Sequence, residues 1–208
     1  MKVNKINILG TGPGDKKYIL PIVFDIVKES DLVIGGRRNL TNFDLNNKEV
    51  LEIISEIDKI VEFIKRSRDK KIAILASGDP LFYGIGVTIS RYFPQDELNI
   101  VPGISSVQYL FCKLDKSWND YHLATLHGNT LDIIETIEKY KKVVFLTDKN
   151  NDYKMIAGML SENKYSECFM TVAINLSYED EKIVSGIPAD FINIQLDDRL
   201  AIVVVEYE

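Results

Sequence analysis

The chain has 208 residues, 46% hydrophobic and 10% aromatic, which is enough for one large or two small packed domains and excludes wholesale disorder. Its formal net charge of -6 and pI near 5.1 argue against a nucleic-acid or anionic-membrane surface. Two cysteines, Cys112 and Cys168, lack CxxC spacing, so neither a disulfide framework nor a zinc site is expected, and both read as buried, reduced structural residues of a cytoplasmic protein.

Met1 to Lys5 leads straight into a strand pattern, so no signal peptide is expected, and no apolar run is long enough for a membrane span. Ile6 to Leu9 reads as a short buried strand. It runs into Gly10-Thr11-Gly12-Pro13-Gly14-Asp15. Pro21 suits the first turn of a helix striped by Ile22, Val23, Ile26 and Val27. Asp31 to Ile34 is the next strand, closed by Gly35-Gly36-Arg37-Arg38. Thr41 to Lys48 is polar and loop-like. Ile57, Ile60, Val61 and Ile64 mark an amphipathic helix that Ser55 and Asp58 can cap.

Strand Ile72 to Leu75 follows, then the turn Ala76-Ser77-Gly78-Asp79-Pro80-Leu81-Phe82-Tyr83-Gly84-Ile85-Gly86. Ile85, Ile89 and Phe93 share one face of a helix stopped by Pro94. Leu98 to Val101 is a strand ending in Pro102-Gly103-Ile104-Ser105-Ser106, and Ile104, Val107, Leu110, Phe111 and Leu114 mark a helix. Alternating strands and helices with short connections predict a mostly parallel sheet with helices on its faces.

The second half carries more strands. Lys113 to Asp120 is a polar linker around Trp118. Tyr121 to Leu126, Lys142 to Leu146, Phe169 to Ile174 and Leu200 to Val205 read as strands, with Ile183-Val184 a short addition. Leu131, Ile134 and Ile137 mark one helix; Met155, Ile156, Met159 and Leu160 mark another. The fold expected is α/β in two domains, 1–112 with a mostly parallel sheet and 121–208 with a mixed sheet, joined by 113–120.

Three turns fall at predicted strand ends, where open α/β sheets bind ligands. In GTGPGD the sixth position is Asp15 where a dinucleotide fold wants glycine, and Pro13 removes a backbone donor, so a tight structural turn competes with a phosphate cradle. SGDPLFYGIG is more specific. Glycines at 84 and 86, read as lying inside a helix, imply close approach of another backbone or a ligand. Asp79 either accepts hydrogen bonds from a ligand or caps the next helix. In PGISS, Ser105 and Ser106 either cap a helix or present hydroxyls and N–H groups to a carboxylate.

GTGPGD, DLVIGGRR, ASGDPLFYGIG and PGISS, in this order, resemble the tetrapyrrole methylase family, the class III S-adenosylmethionine-dependent methyltransferases. The similarity continues through LHG (126–128), FLTD (145–148) and INLSYEDEKI (174–183), nearly the whole chain. GGRR, SGDPLFYGIG, PGISSVQ and LHG together are most similar to the members that methylate carbon 5 of a precorrin or cobalt-precorrin ring in cobalamin biosynthesis. The resemblance implies an active site in a cleft between two α/β domains and a homodimer. It implies donor contacts at Pro13, Gly78, Asp79, Phe82, Ser105 and Ser106, and at Leu146, Thr147 and Leu176. It implies an anionic tetrapyrrole or corrinoid substrate, for which Arg37 and Arg38 are the candidate carboxylate partners, ahead of Lys16 and Lys17. His127 either takes a polar or acid–base role or bonds to loop backbone; no other catalytic base is assigned. Asn129 stands where the pattern has Arg. No protein-bound metal, nucleic acid or membrane is expected, and a decarboxylating C-15 methyltransferase is expected as a separate partner. A different member of the family (uroporphyrinogen methylase, diphthine synthase, or the ribosomal-RNA branch), a nucleotide-binding oxidoreductase and a tetrapyrrole carrier are the competing readings. GGRR and LHG speak against the first group, acid pI against RNA, and the broken glycine motif against the oxidoreductase.

Overall fold

A computed structural model of the protein describes residues 4–53, 57–126, 131–148, 150–196 and 201–207. The predicted features at Ser55, His127, Gly128, Asn129 and Leu200 lie outside them. The chain divides into two compact units, Met1–Ser105 and Ser106–Glu208.

The first unit is built on strands β1 (Ile6–Gly10), β2 (Leu32–Gly35), β3 (Glu49–Glu52), β4 (Ile72–Ala76) and β5 (Leu98–Val101). They pair in the order β3-β2-β4-β1-β5, every pair parallel. A parallel sheet needs cover on both faces, and the period of two along each strand supplies it. Ile6, Ile8, Leu32, Ile34, Ile72 and Ile74 point one way, where Ile60, Val61 and Ile64 of α3 (Ile57–Arg66) and Ile89 of α4 (Ile85–Ile89) meet them. Leu9, Val33, Ala73 and Leu75 point the other way, against Val23 and Val27 of α1 (Pro21–Glu29) and against Leu40 of α2 (Arg37–Leu40). The long apolar runs of β1, β2 and β4 therefore belong to strands buried on both sides.

Helix α4 stops short of its predicted end. The Ser90 hydroxyl donates back to Gly86 O at 2.8 Å, closing the last turn. Phe93 stays buried beyond it, in the same core as Ile89. Gly84 sits before the helix and only Gly86 inside it.

The second unit opens with α5 (Ser106–Leu114). Its sheet runs β6 (His122–Thr125), β7 (Lys142–Leu146), β10 (Ala201–Glu206), β8 (Phe169–Ile174), β9 (Lys182–Gly186). Only β6 and β7 are parallel; the other neighbours are antiparallel, so the sheet is mixed. One face packs Val143, Phe145, Met170, Val172, Val203 and Val205 against α6 (Ile133–Tyr140), α7 (Tyr153–Ser161) and α8 (Pro188–Ile192). No described helix is long and apolar enough to cross a membrane.

The end of α5 is tied to this sheet by charge. Lys116 Nζ donates to both oxygens of Glu206, at 2.9 and 2.7 Å, and Tyr121 Oη donates to Glu206 Oε1 at 2.5 Å. Burial pushes the Tyr121 phenol above its ordinary range, reinforced by this bond to a carboxylate. A second fixed point is Tyr153, fully buried, whose hydroxyl donates to Ile194 O and accepts from Leu196 N, both at 3.0 Å. Tyr153→Phe strands a partly buried carbonyl and a buried N–H, so it should cost about 1–3 kcal/mol in urea unfolding with an unchanged m-value.

Candidate functional site

The three glycine-bearing turns leave the carboxyl ends of β4, β1 and β5, adjacent strands of one sheet. They are joined to one another by main chain. Thr11 donates both its N–H (2.8 Å) and its hydroxyl (2.9 Å) to Ala76 O. One residue on, Gly12 and Gly78 exchange two bonds, Gly12 N to Gly78 O at 3.3 Å and Gly78 N to Gly12 O at 2.8 Å. Both have positive φ, +72° and +63°, where a Cβ is unfavourable. The third turn presses against the first: a Cβ on Gly10 would lie 2.5 Å from Gly103 N, and one on Gly103 would lie 2.9 Å from Gly10 Cα and closer still to Gly78 O. These glycines serve backbone-to-backbone contact, not a phosphate cradle.

Asp79 ties the second turn to the third. Its Oδ1 accepts from Leu81 N at 2.8 Å within its own turn, and its Oδ2 accepts from Gly103 N at 3.1 Å across to the next. It does not cap α4, whose N-cap is Gly84 with no side-chain bond. Each carboxylate oxygen has a second lone pair, so the same group can still receive a hydroxyl or ammonium donor. Gly84 and Gly86 answer the question of close approach: a Cβ on either would meet Pro80 O, at 2.7 and 2.6 Å. Their room is taken by the turn's own backbone. Tyr83, just before Gly84, holds φ +52° with its ring edge-on to Phe82, centroids 4.9 Å apart.

Pro13 is buried, and Ser105 is 4% exposed, its Cα 3.6 Å from where a Gly78 Cβ would lie. Pro13, Gly78, Asp79, Phe82 and Ser105 thus belong to one connected set of turns in the first unit. Ser106, the first residue of α5, begins the second unit together with Leu146, Thr147 and Leu176. Arg37 and Arg38 are exposed at the start of α2, and among the described residues neither has an ion pair. Other cations of this unit are engaged: Lys17 with Asp15 at 3.0 Å, Arg68 with Glu97 at 2.8 Å, Lys70 with Glu49.

In the second unit, Thr147 repeats the device of Thr11. Its N–H and hydroxyl both donate to Ala201 O, at 3.4 and 2.8 Å, tying the end of β7 to the start of β10. Asp148 then orders the following turn by accepting from Asn150 N and Asn151 N. Leu176 is 4% exposed between Asn175 and Ser177, both non-glycine residues with positive φ, +50° and +70°. Asn175 Nδ2 donates to Asp180 Oδ2 at 2.7 Å, and Ser177 N donates to Glu181 Oε2 at 2.6 Å. Burial pushes the Glu181 carboxyl up, but the Ser177 N–H, the Tyr109 hydroxyl and Lys113 together hold it below the usual range. No group of three metal-ligating side chains occurs among the described residues.

Sequence reasoning passed over Thr11, Gly103 and Glu181. The glycines at 10 and 12 read only as a tight turn or a phosphate cradle, and Gly103 carried no reading of its own. The acid at 181 lay inside a polar run with no periodic signature.

Comparison with known proteins adds the family. The model for Tetrapyrrole (Corrin/Porphyrin) Methylases matches residues 5–189. A cobalt-precorrin-7 C(5)-methyltransferase of Salmonella typhimurium is 33% identical over 190 residues, 89% of this chain and 94% of that protein. A probable cobalt-precorrin-7 C(5)-methyltransferase of Methanocaldococcus jannaschii is 36% identical over 186 residues, 86% of this chain and 87% of the relative. The crystal structure of a cobalamin-biosynthesis precorrin-6Y methylase from Archaeoglobus fulgidus superposes with a TM-score of 0.76 at 23% identity, covering 98% of each chain.

The backbone contact makes its own prediction. Gly103→Ala places a methyl group against the main chain of Gly10 and Gly78, with no flexible side chain to give way. It should lower stability by about 3 kcal/mol in chemical unfolding, whereas Gly36→Ala, with nothing within 4 Å, should change it little.

Proposed function

Since the chain belongs to the tetrapyrrole (corrin/porphyrin) methylases, we propose that it transfers the methyl group of S-adenosylmethionine to carbon 5 of a precorrin or cobalt-precorrin ring in cobalamin biosynthesis. The observation that carries this reading is the similarity, over 89% and 86% of the chain, to relatives bearing that activity in their names, at 33% and 36% identity. The reading includes a homodimer, and a separate protein for the decarboxylating C-15 methylation, both on the family resemblance alone.

Methyl transfer from a sulfonium to a ring carbon is an in-line displacement. The leaving thioether is neutral and the conjugated ring carbon is the nucleophile, so alignment of the two supplies much of the rate. A rigid frame is what such chemistry requires, and main-chain contacts at Gly10, Gly12, Gly78 and Gly103 provide one. In this reading Asp79 uses its remaining lone pairs on the donor, beside Pro13, Phe82, Ser105 and Ser106, and Leu146, Thr147 and Leu176 complete the donor set. No side chain is assigned as a base. The carboxylates of the macrocycle go to Arg37 and Arg38, whose forked donors bind carboxylate bidentately and which have no ion pair among the described residues.

Calorimetry with S-adenosylhomocysteine tests the donor half: the wild-type chain should bind it and NAD should not compete, while absence of binding sinks the methyltransferase reading. Asp79→Ala should weaken that binding about tenfold, since it frees two N–H groups and loosens both turns. Arg37→Ala and Arg38→Ala should each raise KM for the purified precorrin substrate about tenfold in a methylation assay while leaving S-adenosylhomocysteine affinity unchanged.

A further inference from the structure

The loop that follows β8 is held by two adjacent acids. Asp180 takes the side-chain amide of Asn175, and Glu181 takes the backbone N–H of Ser177. Those are the two residues whose backbones sit in the left-handed region, at +50° and +70°, with Leu176 between them. Side chains other than glycine rarely keep such a conformation unless the surroundings fix it.

Glu181 does more than close its own loop. Its side chain is 20% exposed, and its Oε1 lies 3.5 Å from Lys113 Nζ. The Tyr109 hydroxyl hydrogen-bonds to the same carboxylate. Tyr109 and Lys113 are on α5, one and two turns beyond Ser106. Lys113 also stands 5.2 Å from the Tyr109 ring centroid, so the two α5 side chains are themselves in register. One carboxylate therefore joins the helix that begins at the PGISS turn to the loop that carries Leu176. Three donors from two chain segments converge on it, an arrangement that a surface acid of a solvated loop does not have.

We propose that Glu181 is a positioning residue for the methyl donor: by locking the 175–181 loop onto α5 it keeps Leu176 in its donor-contacting conformation. This rests on the functional reading above, in which Leu176 touches S-adenosylmethionine. Glu181 itself need not touch donor or substrate. When the lock is removed, the loop relaxes toward ordinary backbone conformations and only a fraction of molecules remains competent, so apparent affinity falls by that fraction.

The test uses the full chain with Glu181→Ala, Glu181→Gln and Tyr109→Phe, each checked for folding by circular dichroism. S-adenosylhomocysteine binding is measured by calorimetry, and KM for S-adenosylmethionine and kcat with the precorrin acceptor. Glu181→Ala should raise the Kd and the donor KM about tenfold while kcat changes by less than about threefold. Glu181→Gln, whose amide oxygen still accepts the Ser177 N–H, should recover most of the affinity. Tyr109→Phe should raise the Kd about threefold. A carboxylate with a purely structural role would lower the melting temperature of these variants but leave the Kd of the folded protein within about twofold, and that result overturns the inference. Should Glu181→Ala not fold, Tyr109→Phe decides by the same twofold criterion. A wild-type chain that fails to bind S-adenosylhomocysteine overturns the donor reading instead.

Discussion

The first unit depends on one contact: main chain against main chain where the turns after β1, β4 and β5 meet. Parallel strands deliver their connections at the same edge about 4.8 Å apart, and turns with side chains there would have to splay. Gly10, Gly12, Gly78 and Gly103 remove that obstacle, and the carboxylate of Asp79 then fastens the Gly103 turn to its own. Pro13 and Ser105 are buried as a consequence, because each sits one to three residues from a closed contact. A site assembled this way has little freedom to rearrange, which suits a reaction whose barrier is lowered by alignment.

The second unit solves a similar problem with polar side chains. Thr147 sends two donors to the carbonyl of a neighbouring strand, as Thr11 does in the first unit. Where the first unit uses glycine at positive φ, the loop after β8 uses Asn175 and Ser177 and holds them with Asp180 and Glu181. Glycine needs no such support. Asparagine and serine do, and in that loop Asp180 and Glu181 supply it.

Much of the architecture was legible because buried strands and amphipathic helices announce themselves by period. The runs of β1, β4, β5, β7 and β8 and the stripe of α3 fall where periodicity places them. Three elements did not announce themselves. β3 is an edge strand reading Glu-Val-Leu-Glu, mostly exposed, with too little burial to leave an apolar signature. α2 and α8 are four and five residues long, shorter than one period can be read over. Phe93 misled in the other direction: its spacing from Ile85 and Ile89 is helical, yet the chain turns at Ser90 and delivers Phe93 to the core by another route. At the candidate site, the residues of the turns were visible as composition, but the partner of each was not. Asp79 looked like a ligand acceptor or a cap because a sequence cannot show that Gly103, twenty-four residues on, reaches its carboxylate.

The frame at the strand ends is made of atoms that every amino acid shares. Its geometry is set by backbone and by side chains that point inward, whereas Leu81 and Tyr83 of the same turn stand 53% and 52% exposed. Substitution at those outward positions leaves the frame in place. Such substitutions can therefore alter the surface the turn presents while the main-chain frame behind it keeps its shape. This division between a main-chain interior and a replaceable border lets the outer surface vary without a change of architecture.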